Sequence, residues 1–267
     1  MNKFVDTHCH GLPLVDDGVQ SNESALIMLN QAVESQIRLV FMTPHVIPNG
    51  KFFPTKNLVD HKLKALKAQA KANKLPIEIK LGCEITLSAD GLKFIQDKGH
   101  WPYQDTDFVL VEFIPPFDEN LIQEAIYELK RQGQTMLIAH PERYFSNPKE
   151  AIARVTVWRK AGAFMQVNKT SILLDQKTST GNVALALLEK NLIQIIATDA
   201  HHTSGRRACR LDEAYTELIR LFDQKTADCL LCENPTRLSE NKPLINTEIP
   251  GDFFSSIVRK IKFKRKI

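Results

Sequence analysis

A single α/β domain built on a closed or nearly closed parallel barrel is the architecture this sequence predicts. Three observations carry the prediction. Seven short apolar runs alternate with helical segments along the 267 residues, the pattern of strand–helix units around a parallel sheet. Six of the seven runs end in a potential metal ligand. The strand C-termini of a barrel converge on one face, whereas those of an open sheet are spread along a line. Finally, 267 residues is a common length for one α/β barrel.

The runs, in order, are FVDTH (4–8), RLVFMTPH (38–45), IEIKLGCE (77–84), FVLVEF (108–113), TMLIAH (135–140), AFMQVN (163–168) and IQIIATDAH (193–201). Val, Ile, Phe and Leu dominate them, as in strands buried on both faces. Between them, ESALIMLNQAVESQ follows a capping Ser21-Asn22 pair, and TKNLVDHKLKALKAQAKANK, ENLIQEAIYELKRQG and NPKEAIARVTVWRKAG place apolar residues at i, i+3, i+4 spacing. Gly133 and Gly162 stand where helix C-caps fall. IPPF (114–117) and NKPLINTEIP (241–250) read as loops. The expected organisation is one barrel domain over residues 1–250 and a short basic tail over 251–267.

Composition narrows the function classes. Apolar residues make up 43% and charged residues 25%, so the chain is globular rather than disordered. No stretch of 18 apolar residues offers a membrane span, and MNKFVDTHCH has no apolar core of a signal peptide; a cytoplasmic protein is expected. Five irregularly spaced cysteines do not suggest a disulfide framework. The net charge is +4, but RKIKFKRKI (259–267) holds six basic residues, without which the balance falls to −2. A basic nucleic-acid-binding surface is therefore not indicated.

Nine side chains gather at the strand ends: His8, His10, Asp17, His45, Glu84, Glu112, His140, Asp199 and His201. One such histidine would pass for a structural residue; five interleaved with four carboxylates do not. Residues two apart on a strand share a side, so His8 and His10 reach one ion while Cys9 points away, and Asp199 and His201 do the same around Ala200. Mixed imidazole and carboxylate donors suit Zn, Mn or Fe better than Mg or Ca. Nine donors exceed the needs of one ion, which points to a multinuclear centre of the kind that activates water and grips phosphoryl oxygens. Arg143 in AHPER and Arg206 in DAHHTSGR are placed to hold a phosphate, with Arg207 a competitor for the second role. Asp6 and Asp16 are left between structural and supporting roles.

Together the D-x-H-x-H start, Thr43-Pro44-His45, Glu84, Glu112, Ala139-His140-Pro141-Glu142-Arg143 and Asp199-Ala200-His201 resemble the polymerase and histidinol phosphatase superfamily. His8-Cys9-His10-Gly11-Leu12-Pro13 and Asp16-Asp17-Gly18 resemble most its bacterial metal-dependent protein-tyrosine phosphatases of capsule and exopolysaccharide synthesis. The resemblance spans residues 3–240 and implies a distorted (β/α)7 TIM-like barrel holding three ions, Mn2+ first, with Fe or Zn as alternatives. It implies His8, His10, Glu84 and Asp199 around one ion, Glu84 shared with Glu112 and His140 around a second, and Asp17, His45 and His201 around the third. It further implies attack on phosphotyrosine by a metal-bridging hydroxide, Arg143 and Arg206 as catalytic, substrate-binding residues, and a membrane-associated bacterial tyrosine kinase as substrate. Asp17 is the position that most separates this branch from others, where His is frequent.

Competing chemistries are weaker. No cysteine is followed six residues later by Arg, as a cysteine-based phosphatase requires, and neither G-x-x-x-x-G-K-[ST] nor G-x-G-x-x-G occurs. Cys229-x-x-Cys232 lacks a second pair and reads as a packed helix end. The alternatives carried forward are a small-molecule phosphomonoesterase such as a histidinol-phosphate phosphatase, a nuclease or phosphodiesterase, and a non-catalytic module that binds phosphotyrosine tails. In the tail, Phe253, Phe254, Ile257, Val258 and Ile261 form a helical stripe beside the basic run. An interfacial helix on anionic lipid, at the inner face of the membrane, and a solubilising tail fit it equally.

Overall fold

The computed structural model describes residues 3–174 and 178–249. Every strand pair is parallel. A three-stranded sheet orders β1 (Phe4–Cys9), β2 (Ile37–Met42) and β4 (Glu78–Leu81) side by side. A six-stranded sheet runs β3 (His45–Val46), β5 (Glu84–Leu87), β6 (Phe108–Phe113), β7 (Thr135–Ala139), β8 (Phe164–Asn168) and β9 (Ile195–Ala197). The chain is thus an α/β protein with parallel sheets, as expected.

Among the described residues nine strands stand where seven were expected, because two apolar runs break. Pro44 has no N–H to give a ladder, and the chain between Leu81 and Glu84 passes through Gly82. The bonds Gly82 N→Met42 O (2.8 Å) and Glu84 N→Pro44 O (3.0 Å) carry the two interrupted runs past each other. Among the described residues no continuous ladder closes the ring. Instead β1 meets the segment after β9 through an isolated Cys9–Ala200 bridge, with Asp199 N→His8 O and His10 N→Ala200 O both 2.9 Å. Side chains reinforce this seam: buried Asp6 accepts from Thr198 N (2.9 Å) and Thr198 Oγ1 (2.6 Å).

Helices cover the outside of the strands. Ser21 Oγ caps α1 (Asn22–Glu34) by accepting from Ser24 N, and Thr55 does the same for α2 (Lys56–Ala72). They are followed by α3 (Ala89–Gln96), α4 (Glu119–Arg131) and α5 (Pro148–Ala161). Gly133 (φ 77°) and Gly162 (φ 112°) end α4 and α5 in the left-handed conformation the sequence anticipates. Then come α6 (Lys169–Leu173), α7 (Ser179–Glu189), α8 (Asp212–Leu221), α9 (Gln224–Asp228), a π-helical turn at Cys229–Glu233, and α10 (Asn234–Ser239). The Cys229-x-x-Cys232 pair lies in that packed turn.

Two apolar clusters result. The larger lies between strands and helices and includes Leu29, Val59, Ile122 and Trp158. The smaller joins inward residues of both sheets, Val5, Leu39, Phe41, Leu110, Leu137 and Ile195. Among the described residues no helix is long and apolar enough to cross a membrane. The basic tail and its boundary at residue 250 lie outside the described residues.

Asp6→Ala would leave the buried amide of Thr198 without its acceptor and its hydroxyl with only the longer bond to His8 O (3.1 Å). The expected cost is about 2–4 kcal/mol, read as a lowered denaturant midpoint at constant m-value.

Candidate metal centre

All nine sequence-predicted donors come together on one face of the strands, from strand ends, strand starts and the loops beside them. His8 is in β1 and His10 just beyond it, Asp17 in the following loop, His45 and Glu84 open β3 and β5, Glu112 is in β6, and His140 follows β7. Parallel register makes His45 and Glu84 direct neighbours and sets Thr86 beside Glu112. One geometric expectation fails. Asp199 and His201 do not alternate on a strand: β9 stops at Ala197, and Asp199 takes a left-handed φ of 48°. The Thr198 anchor and the β1 contacts turn its carboxylate inward.

Four overlapping groups have donor atoms within 4.8 Å of one another: His8/His10/Asp199, His8/Glu84/His140, His45/Glu84/Glu112 and His10/Asp17/His45/His201. Glu84 is central and fully buried. Its Oε2 lies 3.3 Å from His8 Nε2, 3.3 Å from His10 Nε2 and 3.0 Å from His45 Nδ1, and its Oε1 is 2.9 Å from His140 Nε2. Asp17 Oδ1 stands 3.5 Å from His45 Nε2 and 3.4 Å from His201 Nε2. Asp199 Oδ1 is 3.6 Å from both His8 and His10 Nε2.

These residues fit divalent cations. Glu84 Oε2 and His45 Nδ1 are buried and have no hydrogen-bond partner despite standing 3.0 Å apart. Their lone pairs therefore do not point at one another. His8 and His10 Nε2 face each other at 3.1 Å. Two donors about 2.1 Å from a shared ion, at tetrahedral to octahedral angles, stand roughly 3.0–3.4 Å apart, and most of the separations fall in or near that range.

The electrostatics are those of a site that favours cations. Burial disfavours every charge here, yet the Glu84 carboxyl is held well below the usual range, because His8 and His45 outweigh the burial. Burial pulls His45 down, but Glu84 and Glu112 drive it up to about 12. His10, likewise opposed by burial, is raised to about 9 by Asp16. His201 is pushed down to about 2 by burial and the neighbouring His10.

A layer of residues behind the donors went unseen in the sequence. His8 Nδ1 lies 2.8 Å from Gln166 Oε1, Gln166 Nε2 donates to Asn168 Oδ1 (2.9 Å), and Asn168 Nδ2 donates to Asp199 Oδ2 (2.7 Å). This buried relay fixes the outer nitrogen of His8 and one oxygen of Asp199, leaving the inner atom of each for a ligand role. Asp16 accepts from His10 Nδ1 (2.7 Å), Gly18 N (2.9 Å) and His45 N (3.0 Å), so it orients ligands from two loops. Gly18 approaches so closely that a Cβ there would lie 2.1 Å from His10 O. Thr86 Oγ1 donates to Glu112 Oε1 (2.6 Å). Strand alternation gives the only sequence signal for Gln166 and Asn168, and it does not distinguish them from other buried amides.

The arginines share a pocket of about 310 Å³, lined by Arg143, Arg206, Arg207, Asn168, Thr170, Ser171 and Asp199 among others. Arg143 Nη1 reaches Asp199 Oδ2 at 3.3 Å, so it contacts a donor residue and not only the open space where a substrate would lie. Arg207 Nη2 lies 3.1 Å from Asp199 Oδ1 and 2.6 Å from His201 Nδ1.

The profile of the family described as "Capsular polysaccharide synthesis, CpsB/CapC" matches residues 4–240. The chain belongs to the CpsB/CapC family. Tyrosine-protein phosphatase CpsB of Streptococcus agalactiae serotype III (strain NEM316) is 27% identical over 245 residues, covering 89% of this chain and 99% of the relative. Tyrosine-protein phosphatase YwqE of Bacillus subtilis (strain 168) is 28% identical over 255 residues, 91% of each. Among solved structures, a chain from the work on YwqE of B. subtilis and CpsB of Streptococcus pneumoniae, described as unique metal-dependent tyrosine phosphatases, superposes with a TM-score of 0.78 at 27% identity, covering 92% of this chain and 98% of that one.

Two outcomes are expected. At pH 7 metal-free His10 and His45 carry protons that a divalent ion must expel, so binding releases about two protons, and affinity rises between pH 7 and 9 as His10 titrates. Calorimetry in buffers of different ionisation enthalpy reads both. Because both groups lie above the ordinary imidazole value of 6.5, the stability they lend the metal-free protein is complete below about pH 6.5 and, for His10, lost as pH rises through about 9. Separately, Gln166→Leu should weaken metal affinity about 10–100-fold while the fold persists, measured by competition with a fluorescent chelator.

Proposed function

We propose that this chain is a metal-dependent protein-tyrosine phosphatase. The observation that carries the proposal is the gathering of nine imidazole and carboxylate donors, buried Glu84 at their centre, beside a pocket lined by arginines. Membership of the CpsB/CapC family and likeness to named tyrosine-protein phosphatases support it.

Three cation positions follow from the family resemblance: His8, His10 and Asp199 with Glu84; Glu84 with Glu112 and His140; and Asp17 with His45 and His201. The donor groups support the first and third, while Glu112 groups with Glu84 and His45, and His140 with Glu84 and His8. His45 and His8 each stand near a second group, so they can adjust which ion they serve. Bound divalent ions supply an acidified water as nucleophile and charge to polarise phosphoryl oxygens. Mn2+ is the ion proposed, with Fe or Zn also compatible with mixed N and O donors. The two interrupted sheets, joined by the β1–β9 seam around an enclosed apolar cluster, are read as one distorted seven-run barrel.

The protein's own groups bind and orient the ester. Arg143 and Arg206 grip the phosphate, and Asp199 Oδ2 with Asn168 steadies the Arg143 end of the pocket. Asp16 and Gln166 face Nδ1 of His10 and His8, which leaves Nε2 of each ring as the atom available to an ion. Phenolate is a fair leaving group, and no general acid is assigned. The substrate proposed is a phosphotyrosine segment of a membrane-associated bacterial tyrosine kinase in capsule or exopolysaccharide synthesis, met at the inner face of the membrane by a cytoplasmic enzyme.

The test is turnover of p-nitrophenyl phosphate and of a phosphotyrosine peptide with added Mn2+, before and after chelation. Activity should vanish with chelator and return with metal; activity that survives exhaustive chelation would sink the proposal. His140→Ala should lose metal and activity together. Arg206→Ala should keep its metal content and lose at least tenfold in kcat/KM.

A further inference from the structure

The mouth of the metal centre has two unlike sides. The arginine pocket bounds the side of β8 and β9. The loops that follow β1, β3 and β6 instead carry exposed or partly exposed apolar residues, Leu14, Phe52 and Ile114. Phe52 is the best defined of these. The Pro48-Asn49-Gly50 turn doubles the chain back, with Gly50 N→Ile47 O at 2.8 Å, Ile47 N→Phe52 O at 2.6 Å and Asn49 at φ 57°. The turn returns the Phe52 ring to His45, with centroids 6.1 Å apart and planes only 14° from parallel. Phe52 stays partly exposed there. Among the described residues the cation on it, Lys51 Nζ at 4.8 Å from the ring centroid, belongs to an exposed side chain that can swing aside.

Leu14 is the second such residue. It is 62% exposed and holds φ 60°, a left-handed conformation that a leucine rarely adopts. Its loop is over-determined by Leu14 N→Val19 O and Val19 N→His10 O, both 3.1 Å, and by Asp16. A strained residue whose side chain lies in water adds little to folding, and strain of this kind clusters at ligand sites. The loop borders His45, whose backbone N donates to Asp16 Oδ2 and whose Nε2 is 3.5 Å from Asp17. Ile114, 60% exposed, stands two residues after Glu112.

We infer that Phe52, with Leu14 on the adjoining loop, is the wall that receives the aryl ring of the phosphoester and so selects aryl over alkyl phosphates. The inference rests on the phosphatase reading above. The phosphate is drawn to the cationic side, and the ester's organic group is left to the apolar side. A ring held flat beside Phe52 gains offset stacking and sheds water, which an alkyl chain as short as that of phosphoserine cannot match.

Inhibition by phenylphosphonate and methylphosphonate isolates this effect from leaving-group chemistry, with the Mn2+-loaded full chain as enzyme and p-nitrophenyl phosphate as reporter. Phe52→Ala should raise the Ki of phenylphosphonate about tenfold and that of methylphosphonate less than threefold, with metal content unchanged; Leu14→Ser should shift the ratio the same way, by about threefold. Should Phe52→Ala fold poorly, Phe52→Leu keeps bulk while removing the aromatic face, and an intermediate ratio is expected. An equal rise for both inhibitors, or an unchanged ratio in Phe52→Ala and Leu14→Ser, overturns the inference while leaving the phosphatase reading intact. Absence of any chelator-sensitive turnover in the unaltered protein overturns both.

Discussion

Glu84 is the constraint on which the rest of the site depends. A fully buried carboxylate with four imidazoles within 3.3 Å cannot be left uncompensated, because a desolvated charge without partners costs far more than any single contact returns. In the protein alone, protons on His10 and His45 supply part of the balance. With divalent cations present, those protons become unnecessary and the same side chains turn from cations into ligands. The strand ends, the clamped His10–Gly18 loop and the amide relay all serve to hold polar groups against a carboxylate that would otherwise seek water.

The donor set was legible because it obeys a rule visible in one dimension. Ligands at the ends of β-rich runs must converge if the strands are parallel and curl around, and His8, His45, Glu84, Glu112 and His140 do. The less legible parts are those where side chains overrule periodicity. Pro44 and Gly82 split two runs that read as continuous, because runs of apolar residues do not record a missing amide donor in a ladder. Asp199 reaches the centre through a left-handed turn held by Asp6, a residue almost the whole chain away. Gln166 and Asn168 look like ordinary buried amides until both their partners are in view. Asp6 and Asp16, undecided from the sequence, separate cleanly: one anchors the seam and the other orients imidazoles.

The arginines show a different division of labour from the one their spacing suggests. Spacing after His140 and His201 brings out Arg143 and Arg206, yet contact with the donors belongs to Arg143 and Arg207. Two cations leaning on Asp199 offset its charge from outside the cluster, while Arg206 lines the pocket beyond them. The arginine pocket and the donor cluster thus meet in one carboxylate and form one electrostatic unit.

The seam between β1 and the segment after β9 has a consequence for how the protein comes into being. The first ligand stands at residue 8 and the last at residue 201, and neither Asp199 nor the closing bridge exists until both ends of that span have met. During synthesis the early histidines leave the ribosome long before their partners, with no pocket to enter. The full donor set therefore exists only in an essentially finished chain. Pairing so distant in sequence makes assembly slow compared with helix formation.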